Sequence, residues 1–250
     1  MKNILKIKIH LLYYFIGSIC FLTGYFKYFI ITSIFIIIHE LGHVSGGIFF
    51  HWRLEKVVLL PFGGITIFQE KLNKPIKEEF IILILGPLYQ TIFYFLLSYF
   101  FLLPEYVTYI HYFLLFLNLI PIEPLDGSKI IHLLFCKITS YFNSQIYTFY
   151  LSSILLSLFL FYGIVYKNFS LLVWLLFLFQ KVRKTKAFIP YTMKRFLWER
   201  YQYQFSFKKR ILVKDTKDMK RDYSHLFKKE NGYITEREML RKIFDLNHIL

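Results

Sequence analysis

The stretch from Ile30 to Phe50 is apolar almost throughout, yet it carries His39, Glu40 and His43 in its middle. It is long enough to cross a bilayer as a helix. Ionisable groups placed there are costly, and a chain that keeps them has a use for them. His39 and His43 are four residues apart, which puts both rings on one helix face. Two imidazoles on one face can share a zinc ion, and the glutamate between them is placed to take a proton from water. The pattern is H-E-x-x-H, written here as His39-Glu40-Leu41-Gly42-His43. A working metal site needs a further ligand, so the rest of the chain has to supply one.

Composition sets the class. With 56% hydrophobic residues, 30 Phe and 20 Tyr in 250, a soluble domain would expose more apolar surface than water tolerates. The chain reads as an all-α polytopic membrane protein with a polar tail. Its net charge of +15 is concentrated in residues 181–250, as expected of a cytoplasmic segment attracted to anionic headgroups. No nucleic-acid-binding module is present, so nucleic acid is not expected as a partner. Cys20 and Cys136 are far apart and suggest neither a disulfide framework nor a thiolate zinc site.

Six membrane segments are expected, at about Ile9–Phe26, Tyr28–Phe50, Phe80–Leu103, Tyr106–Ile120, Ile146–Tyr166 and Phe169–Phe179. The last is short and can continue past Lys181 along the interface. If the N-terminus is cytoplasmic, Lys27 and Lys167 lie outside. Arg53, Lys56, Lys71, Lys74, Lys77, Lys129, Lys137 and the tail then lie inside, the asymmetry the positive-inside rule asks for. Both termini are then cytoplasmic and the location is the cell membrane. The expected division is a transmembrane domain over 1–180, a linker or interfacial segment over 181–205, and a small α+β tail over 206–250.

Two further stretches stand out. Val57–Phe62 and Ile65–Phe68 flank a Gly63-Gly64 turn, a hairpin signal. So apolar a hairpin is expected to dip into the membrane, where non-helical backbone survives only against protein or a cavity. An open strand edge there could receive a substrate strand. Gly86-Pro87 interrupts the third segment, which suggests a kink and close helix approach. After the fourth segment, Asn118 is followed by Pro121, Pro124-Leu125-Asp126 and Gly127. Prolines and glycine break the helix and leave Asp126 able to turn back toward the histidines. Two His and one carboxylate with an open fourth position make a catalytic zinc site. Glu123 is the competing carboxylate, flanked by prolines. His10, His51, His111, His132, His225 and His248 lack ligand spacing and read as interfacial or surface residues.

His39-Glu40-Leu41-Gly42-His43 paired with Asn118 and Pro124-Leu125-Asp126-Gly127 resembles the site-2 protease family of intramembrane zinc metalloproteases. Pro61-Phe62-Gly63-Gly64 and Gly86-Pro87 are similar to that family too, and the resemblance covers about Ile4 to Lys137. It implies one Zn2+ per chain on His39, His43 and Asp126, with Glu40 as catalytic base. It implies substrate contacts at Asn118 and at Pro61, Phe62, Gly63 and Gly64. Gly86, Pro87, Pro124 and Gly127 would be structural residues near the site. Ser128 stands where the family often has a second glycine. The compact chain and Met193–Tyr201 resemble a six-helix sporulation branch. That implies pro-sigma-K factor as substrate, on the mother-cell side of the outer forespore membrane, and inhibitory membrane partner proteins. Phe207–Phe244 resembles one CBS motif. It is short for such a unit, which speaks against ATP binding and for homo-oligomer formation or substrate docking. Other readings are a site-2 protease acting on an anti-sigma factor or a signal-peptide remnant, a membrane metal transporter, and an inactive protease-like scaffold.

Overall fold

The computed structural model describes residues 6–60, 63–70, 72–229 and 232–245. The chain divides into two compact units, one of residues 1–70 and 77–120, the other of 71–76 and 121–250.

The first unit is built around α2, Phe26–Phe49. Before it come β1, Ile7–Ile9, and α1, Leu11–Leu22. After it come strands β2, Leu54–Leu60, and β3, Gly63–Phe68, then α3, Ile76–Phe100, and α4, Glu105–Leu119. Apolar side chains line one core: Phe35, Ile36 and Val44 of α2, Val57 and Leu59 of β2, Tyr94 of α3, Val107 and Leu114 of α4. The period-two spacing of Val57 and Leu59 turns both inward, as a half-buried strand requires. α2 and α3 approach so closely that a Cβ on Gly42 would run into the Leu85 carbonyl. That is the small-residue contact expected between apolar helices.

The expected hairpin is present, with one correction. β2 pairs antiparallel with β3 in the register Leu60 to Gly63 and Leu59 to Gly64. Gly63 and Gly64 therefore belong to the strand, not to the turn. Gly64 is glycine because β3 passes directly over α2. Pro61 and Phe62 lie outside the described residues. A third strand was not expected: β1 pairs parallel with β2, Ile7 opposite Val57, so β2 is central and β3 is an edge. Three residues are too short a run to show periodicity.

In the second unit, the turn after Ile120 contains a cis Glu123–Pro124 bond and leads into α5, Asp126–Ile138. α6, Tyr141–Val165, packs on α5, with Cys136 Sγ 3.1 Å from Ser144 Oγ and both residues buried. α7, Phe169–Gln202, is one continuous helix through residue 181. The tail is a three-stranded sheet of β4, Lys209–Val213, β5, Tyr223–Lys229, and β6, Gly232–Thr235, closed by α8, Glu236–Phe244. Only the 3-10 turn Thr216–Asp218 stands between β4 and β5.

A buried arginine ties this sheet to α7. Arg200 donates to Asn73 Oδ1, to the Tyr223 and Lys220 carbonyls and to Glu236 Oε1, and lies between the Phe196 and Phe207 rings. His225 is likewise buried, which corrects its reading as a surface residue. Its Nδ1 donates to Glu236 Oε2 and its Nε2 accepts from the Lys220 amide, so the ring is held neutral.

Among the described residues, three helices are long and apolar enough to cross a membrane: α2, α3 and α6. α1 and α4 are shorter, and α7 turns basic from Lys181. The protein is thus mostly helical with three candidate spans, and the expectation of six goes further than these helices do.

Candidate metal centre

His39, Glu40 and His43 sit past the middle of α2 and are 2%, 5% and 5% exposed. Each histidine is held by its Nδ1. That of His39 donates to Gln90 Oε1 at 3.0 Å, and that of His43 donates to the Ile82 carbonyl at 2.8 Å. Gln90 Nε2 donates in turn to the His111 carbonyl at 3.0 Å, which fixes the amide so that its oxygen faces His39. Both imidazoles are thereby set as Nδ1–H tautomers with Nε2 as the acceptor nitrogen. The two Nε2 atoms face each other at 3.1 Å. Two acceptor lone pairs at that separation repel unless a cation lies beside both. This donor set therefore fits a zinc ion, whose histidine ligands have their second nitrogen anchored in this way.

Gly86 lies against the same rings: a Cβ there would overlap the His43 ring and stand 2.9 Å from His39 Nε2. Glu40 points to the hairpin. Its Oε2 accepts from Thr66 Oγ1 at 2.6 Å, and a Cβ on Gly64 would overlap its side chain. The first unit thus brings together His39, Glu40, His43, Gly64 and Gly86 of the expected residues. Gly63 is one residue earlier, at the start of β3, and Pro87 follows Gly86 inside α3. Asn118 is half-buried near the end of α4.

In the second unit Asp126 is the first residue of α5, where the exposed amides of a helix start favour a carboxylate. It is 8% exposed, and Oδ1 accepts from Lys129 Nζ at 2.9 Å. Pro124 and Gly127 flank it, and Gly127 is buried. Glu123 accepts instead from Thr185 Oγ1 at 2.6 Å.

Sequence reasoning missed Gln90, Thr66 and His111. His111 was expected at a surface, but it is 1% exposed and its ring lies parallel to that of Tyr94 at 4.2 Å. Burial is the reason: its helix face packs into the core. Gln90 does leave a signal, being a polar residue four after Gly86 in an apolar helix, hence on the same face.

No protein-family model matches the chain. The fold is that of a site-2 protease. The solved Site-2 Protease from Methanocaldococcus jannaschii superposes with a TM-score of 0.57, at 24% identity, over 72% of this chain and 89% of that one. In sequence the chain is similar to Stage IV sporulation protein FB of Bacillus subtilis (strain 168), 40% identical over 141 residues. That match covers 54% of this chain and 49% of the relative, so the chain spans about half the length of the curated relative it matches. The resemblance to the site-2 proteases thus holds in sequence and in fold.

Proposed function

We propose that this protein is a membrane-embedded zinc metalloprotease that hydrolyses a peptide bond at or within the bilayer. The carrying observation is the convergence of His39 and His43 Nε2, each ring anchored through Nδ1, beside a carboxylate held on the same helix. Asp126 is the proposed third ligand, supported by its chemistry, its burial and the spacing of the two motifs. Zinc bound there would supply Lewis acidity toward the scissile carbonyl. Glu40 takes a proton from the attacking water and passes it to the leaving amine. The Thr66 hydroxyl holds one oxygen of Glu40 and leaves the other to the water. A substrate carbonyl already bonded within a helix is shielded, so the substrate must be extended. β3 is an edge strand, and among the described residues no strand pairs with its outer side, which supports substrate addition along it. Asn118, Pro61, Phe62 and Gly63 are the proposed further substrate contacts.

The similarity to a sporulation protein supports pro-sigma-K as substrate and inhibitory membrane proteins as partners. We read six spans with both termini cytoplasmic, supported by the distribution of Lys and Arg. The divisions at 180 and 205 and a single CBS-like unit at 206–250, serving docking or self-association and not ATP binding, belong to the same reading. The test is co-expression with tagged pro-sigma-K. Wild type should shorten the substrate, and Glu40→Gln should abolish cleavage while keeping about one zinc per chain, since Glu40 is no ligand. Cleavage by Glu40→Gln would remove the mechanism. Intact zinc with no shortening by wild type would remove the substrate.

A further inference from the structure

α6 and α7 run antiparallel, with Gly163 against Leu172 at one end and Lys186 Nζ 5.6 Å from the centre of the Phe149 ring at the other. Between them lies a groove of about 360 Å³, within the range of small-molecule sites. Leu156, Leu160, Phe179 and Val182 form its apolar part. Ser153 and Ser157 also line it, but their hydroxyl protons are committed to the Phe149 and Ser153 carbonyls of their own helix. Arg183 and Lys186, both exposed, stand at the end where α7 leaves its apolar stretch. From Ile146 to Trp198 the sequence has no Asp or Glu, although it carries Lys167, Lys181, Arg183, Lys184, Lys186, Lys194 and Arg195. The helical hairpin therefore brings cations to the groove without an anion of its own.

We propose that this groove binds an anionic glycerophospholipid, with an acyl chain along Leu156, Leu160, Phe179 and Val182 and the phosphate on Arg183 and Lys186. A groove that is apolar at one end and cationic at the other, on adjacent helices at the edge of a membrane span, matches that ligand at both ends. A free phosphate would have no use for the apolar floor. A zwitterionic lipid offers the same phosphate but brings its own ammonium group toward the cations, so the net attraction is weaker. The proposal rests on the reading that α6 spans a bilayer. That reading fails separately if the chain partitions into the soluble fraction on cell fractionation.

The test is native mass spectrometry of the full chain in nonionic detergent with added phosphatidylglycerol or phosphatidylcholine. Phosphatidylglycerol should be retained in preference, and Arg183→Gln and Lys186→Gln should each weaken it roughly fivefold, the loss expected for one interfacial cation. Ser157→Trp, which fills the apolar part without changing charge, should abolish retention. Ser153→Phe serves the same purpose if that variant does not fold. Lys194→Gln, the same charge loss on the same helix outside the groove, should have no effect. Equal retention of phosphatidylcholine, an equal loss with Lys194→Gln, full retention in a folded groove-filling variant, or displacement of the lipid by inorganic phosphate would each overturn the proposal.

Discussion

Gln90 connects the candidate metal centre to the core of the first unit, and replacing it with methionine tests whether that connection matters. Methionine has similar length and no amide, so packing at this fully buried position is kept while the acceptor for His39 Nδ1 disappears. Two costs follow. The buried His39 N–H loses its partner, which destabilises the fold by about 1–3 kcal/mol. The ring is also no longer set with Nε2 as acceptor, and removal of such an anchoring group typically weakens metal binding by about 10–100-fold. That corresponds to about 1.4–2.7 kcal/mol. The assay is zinc competition against a chromogenic chelator in detergent, with thermal unfolding of the zinc-free protein measured in parallel. Lower stability with unchanged zinc affinity would refute the reasoning, because Gln90 would then serve packing alone.

Gly86→Ala should remove most bound zinc, since the new Cβ overlaps the His43 ring. Helix propensity alone predicts the reverse, a gain of about 1 kcal/mol in stability, so metal content separates the two effects. The tail should loosen in acid. Burial pushes His225 below its usual 6.5, aided by nearby Arg200 and opposed by its bond to Glu236. Burial would raise Glu236, but the His225 hydrogen bond and the Arg200 charge outweigh it and hold this carboxyl below its usual 4.5. The unfolded tail therefore takes up protons at His225 as pH falls through 6.5, and at Glu236 as it falls through 4.5, before the folded tail does. Stability is lost over that range and on toward the lower folded values. The protection factors of the β5 amides, exchange rates taken relative to the intrinsic rate at each pH, should be lower at pH 5.5 than at pH 7.5, and His225→Gln should flatten the difference. Protection factors that do not change with pH in the wild type would refute it.

Much of the candidate site was legible in the sequence because its chemistry is local. His39 and His43 share a face by helical geometry alone, and Glu40 lies between them. The apolar run around them announces a costly burial that needs a reason. The hairpin was legible from its β-prone runs, and the break in the helix before Asp126 from the prolines and glycine around it. Gln90 and Thr66 were not, since neither has a spacing that ties it to residues 51 and 26 positions away. His111 and His225 were misread for the same reason: a lone histidine in sequence carries no record of what will cover it.

The sequence by itself determined the helical, apolar character of the chain, the β2–β3 hairpin, and a histidine pair on one helix face with a carboxylate between them. These follow from period, composition and residue type, which act over a few residues. Only the tertiary structure decided which nitrogen of each histidine faces inward, because that is set by Gln90 Oε1 and the Ile82 carbonyl on another helix. It also decided that Gly64 is a strand residue over Glu40 and that Gly86 makes room for two imidazoles. Those assignments depend on close packing between distant segments, where the absence of one Cβ carries the information and no local pattern records it.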